Sequence, residues 1–133
     1  PSLTIQLPNA ALPDTGLQRQ WELYCELVDA GFPAAILDSR ELLLDPRSVL
    51  TALCAHLNIE FDEGMLSWEA GPRKEDGVWA PHWYHAVHLS TGFAPYRPKR
   101  DFPAGLKTLL DECQPWYNLL YAHAIRAQTG EKP

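Results

Sequence analysis

Apolar residues recur along this chain in three helical rhythms, separated by one short run in which nothing polar intervenes. Leu17, Trp21, Tyr24 and Val28 fall at i, i+4, i+7 and i+11, one face of a helix. Asp14 stands ahead of them as an expected N-cap, Gly31 closes the segment, and Pro33 lies just beyond. Val49, Leu50, Leu53, Cys54 and Leu57 set the second rhythm. Asp45 is expected to accept from its free backbone N–H groups, with Pro46 in the first turn and Asn58 as the stop. The third helix is predicted to open at Pro103 and to carry Leu106, Leu109, Leu110, Cys113, Tyr117, Leu120, Tyr121 and Ala124 on its stripe. Pro115 interrupts it, lacks the N–H that would bond to Asp111, and predicts a kink.

Ala34-Ala-Ile-Leu-Asp38 is the non-periodic run, and it reads as a central parallel strand. A lone parallel strand leaves its backbone groups unpaired. Either a sheet is completed by an N-terminal part missing from this sequence, or Leu3–Leu7 pairs with the run; the first reading is preferred. The fold class expected is therefore α/β, mostly helical with one clear central strand. Residues 1–133 are taken as a single, incomplete domain. Phe61–Trp68 suggests a short helical turn. From Gly71 to Phe102 prolines 72, 81, 95 and 98 punctuate a stretch that packs Trp79, Trp83, Tyr84, Phe93 and Tyr96 between them, and within it Pro81–Leu89 has room for two helical turns. An irregular stretch of that length, residues 71–102, is expected to be a binding loop.

Composition narrows the class. With 46% hydrophobic and 21% charged residues the chain is globular rather than disordered. No apolar run nears the roughly 20 residues that span a bilayer, no secretory leader is visible, and the start at Pro1 suggests a trimmed end. Cys25, Cys54 and Cys113 are odd in number, widely spaced and on apolar stripes, which predicts free thiols and a cytoplasmic setting. A formal charge of −6 argues against nucleic acid as a partner. Locally the sign reverses: Arg97, Lys99, Arg100 and Lys107 face only Asp101 between Ala94 and Lys107, an island suited to a small anion or to solvent.

One string of residues is similar to a known family. A buried strand Ala35–Asp38, an acidic turn at Glu41-Leu42, Asp45-Pro46, a helix from Val49 to Leu57 and the closing Leu57-Asn58-Ile59 resemble the C-terminal half of P-loop sulfotransferases. The likeness extends, in a bacterial and plant branch of sulfotransferase-like proteins, to Asp14-Thr-Gly, Met65-Leu-Ser-Trp-Glu-Ala-Gly-Pro72, Asp76-Gly-Val-Trp-Ala-Pro-His-Trp-Tyr84 and Ser90-Thr-Gly-Phe93. The resemblance implies the C-terminal part of a P-loop three-layer fold. It also implies sulfuryl transfer from 3′-phosphoadenosine 5′-phosphosulfate (PAPS) to a hydroxyl or amine of a small-molecule acceptor. No Gly-rich phosphate loop occurs in these residues, so that loop is expected on a missing N-terminal segment or a second chain, and the isolated chain is expected to be inactive. The alternative is a non-catalytic interaction module of the same fold, able to form a homodimer.

Candidate site residues follow. Ser90, Thr91, Gly92, Arg97 and Lys99 are the cofactor-binding candidates, an anion loop for phosphate or sulfate. His82 and His88 are the candidate general bases. With His85 they also raise a metal-dependent hydrolase as a third reading, but zinc sites on helices favour i, i+4 pairs, and positions 86 and 89 are Ala and Leu, so no metal site is expected. Trp79 and Trp83 are candidates for stacking on an acceptor ring, and Glu41 for binding its hydroxyl, against the plainer reading that Glu41 shapes a turn.

Overall fold

A computed structural model describes residues 7–98 and 102–128, mostly helical with one small parallel sheet. The chain divides into two compact units, residues 1–38 with 97–126, and residues 39–96 with 127–133.

The first unit begins with α1 (Leu12–Thr15) and α2 (Leu17–Asp29). Asp14 is not the cap of one long helix. It sits inside α1 and takes the Ala11 N–H at 2.8 Å, and the left-handed Gly16 (φ 70°) then re-aims the chain into α2. Glycine adopts that φ without the steric cost a Cβ brings, so the break is favoured at Gly16. On the far side of the sequence a 3₁₀ turn (Ala104–Leu106) leads into α7 (Lys107–Ala122), which contains Pro115 and packs on α2. Trp21 and Tyr24 from α2 meet the His123 ring at 5.5 and 5.3 Å between centroids.

The strand is shorter than expected: β1 is Ile36–Leu37. Its parallel partner is β2 (Ala124–Ile125), with Ile36 opposite Ala124 and Leu37 opposite Ile125. Helical spacing places Ala124 on the last helix, yet the helix stops at Ala122 and the next residues become strand. A small apolar pair at a helix end satisfies either period, and pairing β1's backbone groups decides between them. The alternative partner, Leu3–Leu7, falls at positions 3–6 outside the described residues. Asp38, directly after β1, accepts the Tyr117 hydroxyl from α7 at 2.9 Å.

The second unit opens with α3 (Ser39–Leu44), a helix the apolar pattern did not announce, and α4 (Pro46–His56). Asp45 caps α4 as expected, its carboxylate taking the Ser48 N–H at 3.1 Å. Asn58 ends it in the left-handed conformation (φ 55°), with Ile59 N–H returned to the Cys54 carbonyl at 2.9 Å. Val49, fully buried, and Cys54 form the unit's inner face. A 3₁₀ turn (Glu63–Leu66) follows, and two single-turn helices, α5 (Ala80–Trp83) and α6 (His85–His88), occupy the predicted loop. All three cysteines are free thiols. Among the described residues no helix is long and apolar enough to cross a membrane.

Candidate functional site

The aromatic loop of the second unit is tied shut by backbone and side-chain bonds from Ser67 to Gly92. Ser67 and Gly92 form an antiparallel bridge, Trp68 N–H donates to the Thr91 carbonyl at 3.1 Å, and Gly71 N–H donates to the His88 carbonyl at 2.8 Å. The Trp68 indole N–H reaches the Ser90 hydroxyl at 2.9 Å, while that hydroxyl donates to the Val87 carbonyl at 2.7 Å. Trp68 also meets Phe93 edge-on, 5.4 Å between centroids. At Gly92 a Cβ would stand 3.1 Å from the Leu66 carbonyl oxygen, so the close approach of these two segments selects glycine.

Within the loop this latch holds, α5 and α6 are joined across their break by Tyr84 N–H to Ala80 O and His88 N–H to Tyr84 O; the buried Ala80 and the partly buried His88 mark the inward side, while Tyr84 is exposed. Away from that side, Trp79 and Trp83 are 67% and 58% exposed, and Leu89 84%. The inward side carries the chemistry. His88 Nε2 lies 2.7 Å from Asp76 Oδ2, with both side chains about four-fifths buried (22% and 19% exposed). The same carboxylate oxygen accepts the Arg73 backbone N–H at 2.9 Å. Those two bonds, the Arg73 N–H first and His88 second, hold Asp76 below the ordinary carboxylate range. Asp76 is thus ionised at neutral pH and can only accept, which makes Nε2 the protonated nitrogen of a neutral His88. Nδ1 then carries the lone pair, the arrangement of a base oriented by a carboxylate. The pair lines an open cleft of about 360 Å³ with Pro72, Arg73, Val78, Ala80 and Pro81.

The structure distributes the sequence candidates unevenly. His88 lies in the cleft; His82 is exposed beside the Trp79 ring, 6.4 Å between centroids. No group of three His, Cys, Asp or Glu side chains that could hold a metal occurs among the described residues. Ser90 and Gly92 serve the latch, and the Thr91 carbonyl does too, while its side chain is exposed. Arg97 is exposed and belongs to the first unit, and Lys99 lies outside the described residues. Glu41 is buried and takes the Ala127 N–H at 3.0 Å, a role in holding the chain's return rather than an open ligand position. Sequence reasoning missed Asp76 as the partner of His88, and Arg73 as a partner of Asp76. The signal available was the Asp76-Gly77 turn inside a string already noted for its family likeness.

A helix-rich α/β chain with a carboxylate-oriented histidine in a latched aromatic loop is the product of these observations. Residues 8–124 match the sulfotransferase domain family, and the chain belongs to that family. It is 45% identical over 111 residues to branched-chain-amino-acid aminotransferase-like proteins 1 and 2 of Arabidopsis thaliana, a match that covers 83% of this chain and 20% of each relative. The chain therefore spans about a fifth of the length of the curated relatives it matches. No solved structure matches it.

Proposed function

We propose that this chain supplies the acceptor side of a sulfotransferase of the P-loop class, with His88 taking the proton of an acceptor hydroxyl or amine and Asp76 holding the ring. The observation that carries this reading is the 2.7 Å His88–Asp76 contact on the wall of a cleft in a sulfotransferase-family chain. Family membership favours PAPS as donor. The described residues do not fit its phosphosulfate: the passage from β1 into α3 reads Asp38-Ser39-Arg40-Glu41, with two carboxylates and no glycine to let backbone N–H groups close on an anion. The phosphate-holding loop thus belongs to another segment or a second chain, and no step of the donor's chemistry is assigned to these residues. The protein acts in the cytoplasm in this reading, on a small molecule.

The test is sulfate transfer from PAPS by a polypeptide joining this chain to an N-terminal phosphate-loop portion, with thermal shift by adenosine 3′,5′-bisphosphate as the binding readout. Replacing His88→Gln is expected to lower the transfer rate about 100-fold or more, with bisphosphate stabilisation intact, whereas His82→Gln leaves the rate near wild type. Full activity in H88Q would sink the assignment.

A second reading is favoured by the exposed Trp79, Trp83 and Leu89. It is a non-catalytic module that docks through this face, to another chain or to its own copy. Under it, bisphosphate shifts neither this chain nor the extended one.

A further inference from the structure

The His88 cleft also carries a cation whose charge no side-chain carboxylate bonds among the described residues. Arg73 lines the cleft and donates from Nη2 only to the Glu69 backbone carbonyl, at 3.1 Å. A carbonyl leaves most of the guanidinium's five N–H donors open, and its charge is met only at a distance, by Asp76. Its place is set by the carboxylate that also sets the base. Asp76 Oδ2 takes the Arg73 backbone N–H, and Asp76 N–H returns to the Arg73 carbonyl at 3.1 Å, so residues 73–76 form a closed turn. One carboxylate thereby fixes the turn that bears the guanidinium and the ring that bears the lone pair. The wall between them is apolar, from Pro72, Val78, Ala80 and Pro81.

We propose that the cleft selects an anionic acceptor, a hydroxylated carboxylic acid with a short apolar body, whose carboxylate pairs with Arg73 while its hydroxyl lies against His88. This rests on the acceptor-side reading above and names its substrate class. Asp76 is the other charge in the cleft. Its oxygen already takes two donors, Arg73 N–H and His88 Nε2–H, so it disfavours an anion less than an unbonded carboxylate would. The cleft then balances one cation against one carboxylate, and an incoming acid has the guanidinium fork to meet.

The test titrates the full chain with 4-hydroxybenzoate, following the His88 ring resonances by NMR. The same titration uses methyl 4-hydroxybenzoate, of like shape without charge, and tyramine, with the opposite charge. The acid is expected to bind saturably and about ten-fold more tightly than either comparison ligand, the scale of one charge-assisted pair. Arg73→Gln is expected to remove that preference and leave ester binding unchanged. Because the ligand comparison is made on the unaltered protein, it stands even if R73Q folds poorly. Equal binding of acid and ester, preference for tyramine, or no binding of any of the three overturns the proposal. So does displacement of the acid by adenosine 3′,5′-bisphosphate, which assigns Arg73 to the nucleotide's phosphates. The readout needs no sulfate transfer, so loss of the acceptor-side reading (full activity in H88Q) is separable from loss of this one.

Discussion

Two regions of the second unit are held together by different forces. The α3–α4 pair is stabilised by burial: Val49 is fully enclosed, Cys54 nearly so, and Asp45 and Asn58 satisfy the ends of α4. The loop from Ser67 to Gly92 buries little beyond Ala80 and stays closed through hydrogen bonds between residues 17 to 25 positions apart, among them Gly71–His88 and Ser67–Gly92. Hydrophobic packing fixes a frame with little regard to detail, whereas a polar latch fixes the direction of particular side chains. The region that positions a base is therefore the one with the thinner core.

The largest effect expected from this contrast is at Val49. Val49→Ala removes buried methyl groups from the only described side chain that is wholly enclosed. A loss of about 2 kcal/mol is expected from transfer plus the cavity left behind, read as a lower urea midpoint by circular dichroism. A neutral result would break the comparison at its first term, because the frame would then not rest on burial.

Acid should act on the latch instead. Asp76 is held below the ordinary carboxylate range, so its contribution to stability is complete above that range and is lost as pH falls through the depressed value. Wild type is expected to lose more stability than Asp76→Asn on acidification below about pH 4, because asparagine has no proton to bind. The difference should be seen in the Trp68 environment, by fluorescence or NMR, before α4 melts. Parallel acid curves for the two proteins would show that the Arg73 and His88 bonds do not favour the ionised form.

The frame was largely legible in the sequence and the latch was not, for a physical reason. Asp45-Pro46, the stripe Val49 to Leu57 and Asn58 are local signals, each readable within a turn or two, and α4 follows them. The helix α3 escaped because Ser39–Leu44 is too short for a period to show. The strand pair was half legible: Ile36 and Leu37 stood out, while Ala124 and Ile125 looked like one more turn of helix until their partner was known. At the site, His88 could be named from its type, but Asp76 lies twelve positions away. Ser90 and Gly92 carried the residue types of an anion loop, and their close fit to Trp68 and Leu66 is a tertiary fact. Pairings that depend on loop closure leave no period to read.

The smallest stability effect is expected where the loop is most aromatic. Trp83 is 58% exposed at the end of α5. A large ring in that setting has few neighbours to lose, so Trp83→Ala should change stability by no more than about 0.5 kcal/mol, against the much larger loss at Val49. Binding should separate from stability at the same residue. If the exposed Trp79, Trp83 and Leu89 form a docking face, W83A will keep its melting curve and lose partner or acceptor affinity. A drop in stability beyond about 1 kcal/mol would mean that the ring packs within the unit, and the division between a buried frame and a polar latch would have to be redrawn around the tryptophans.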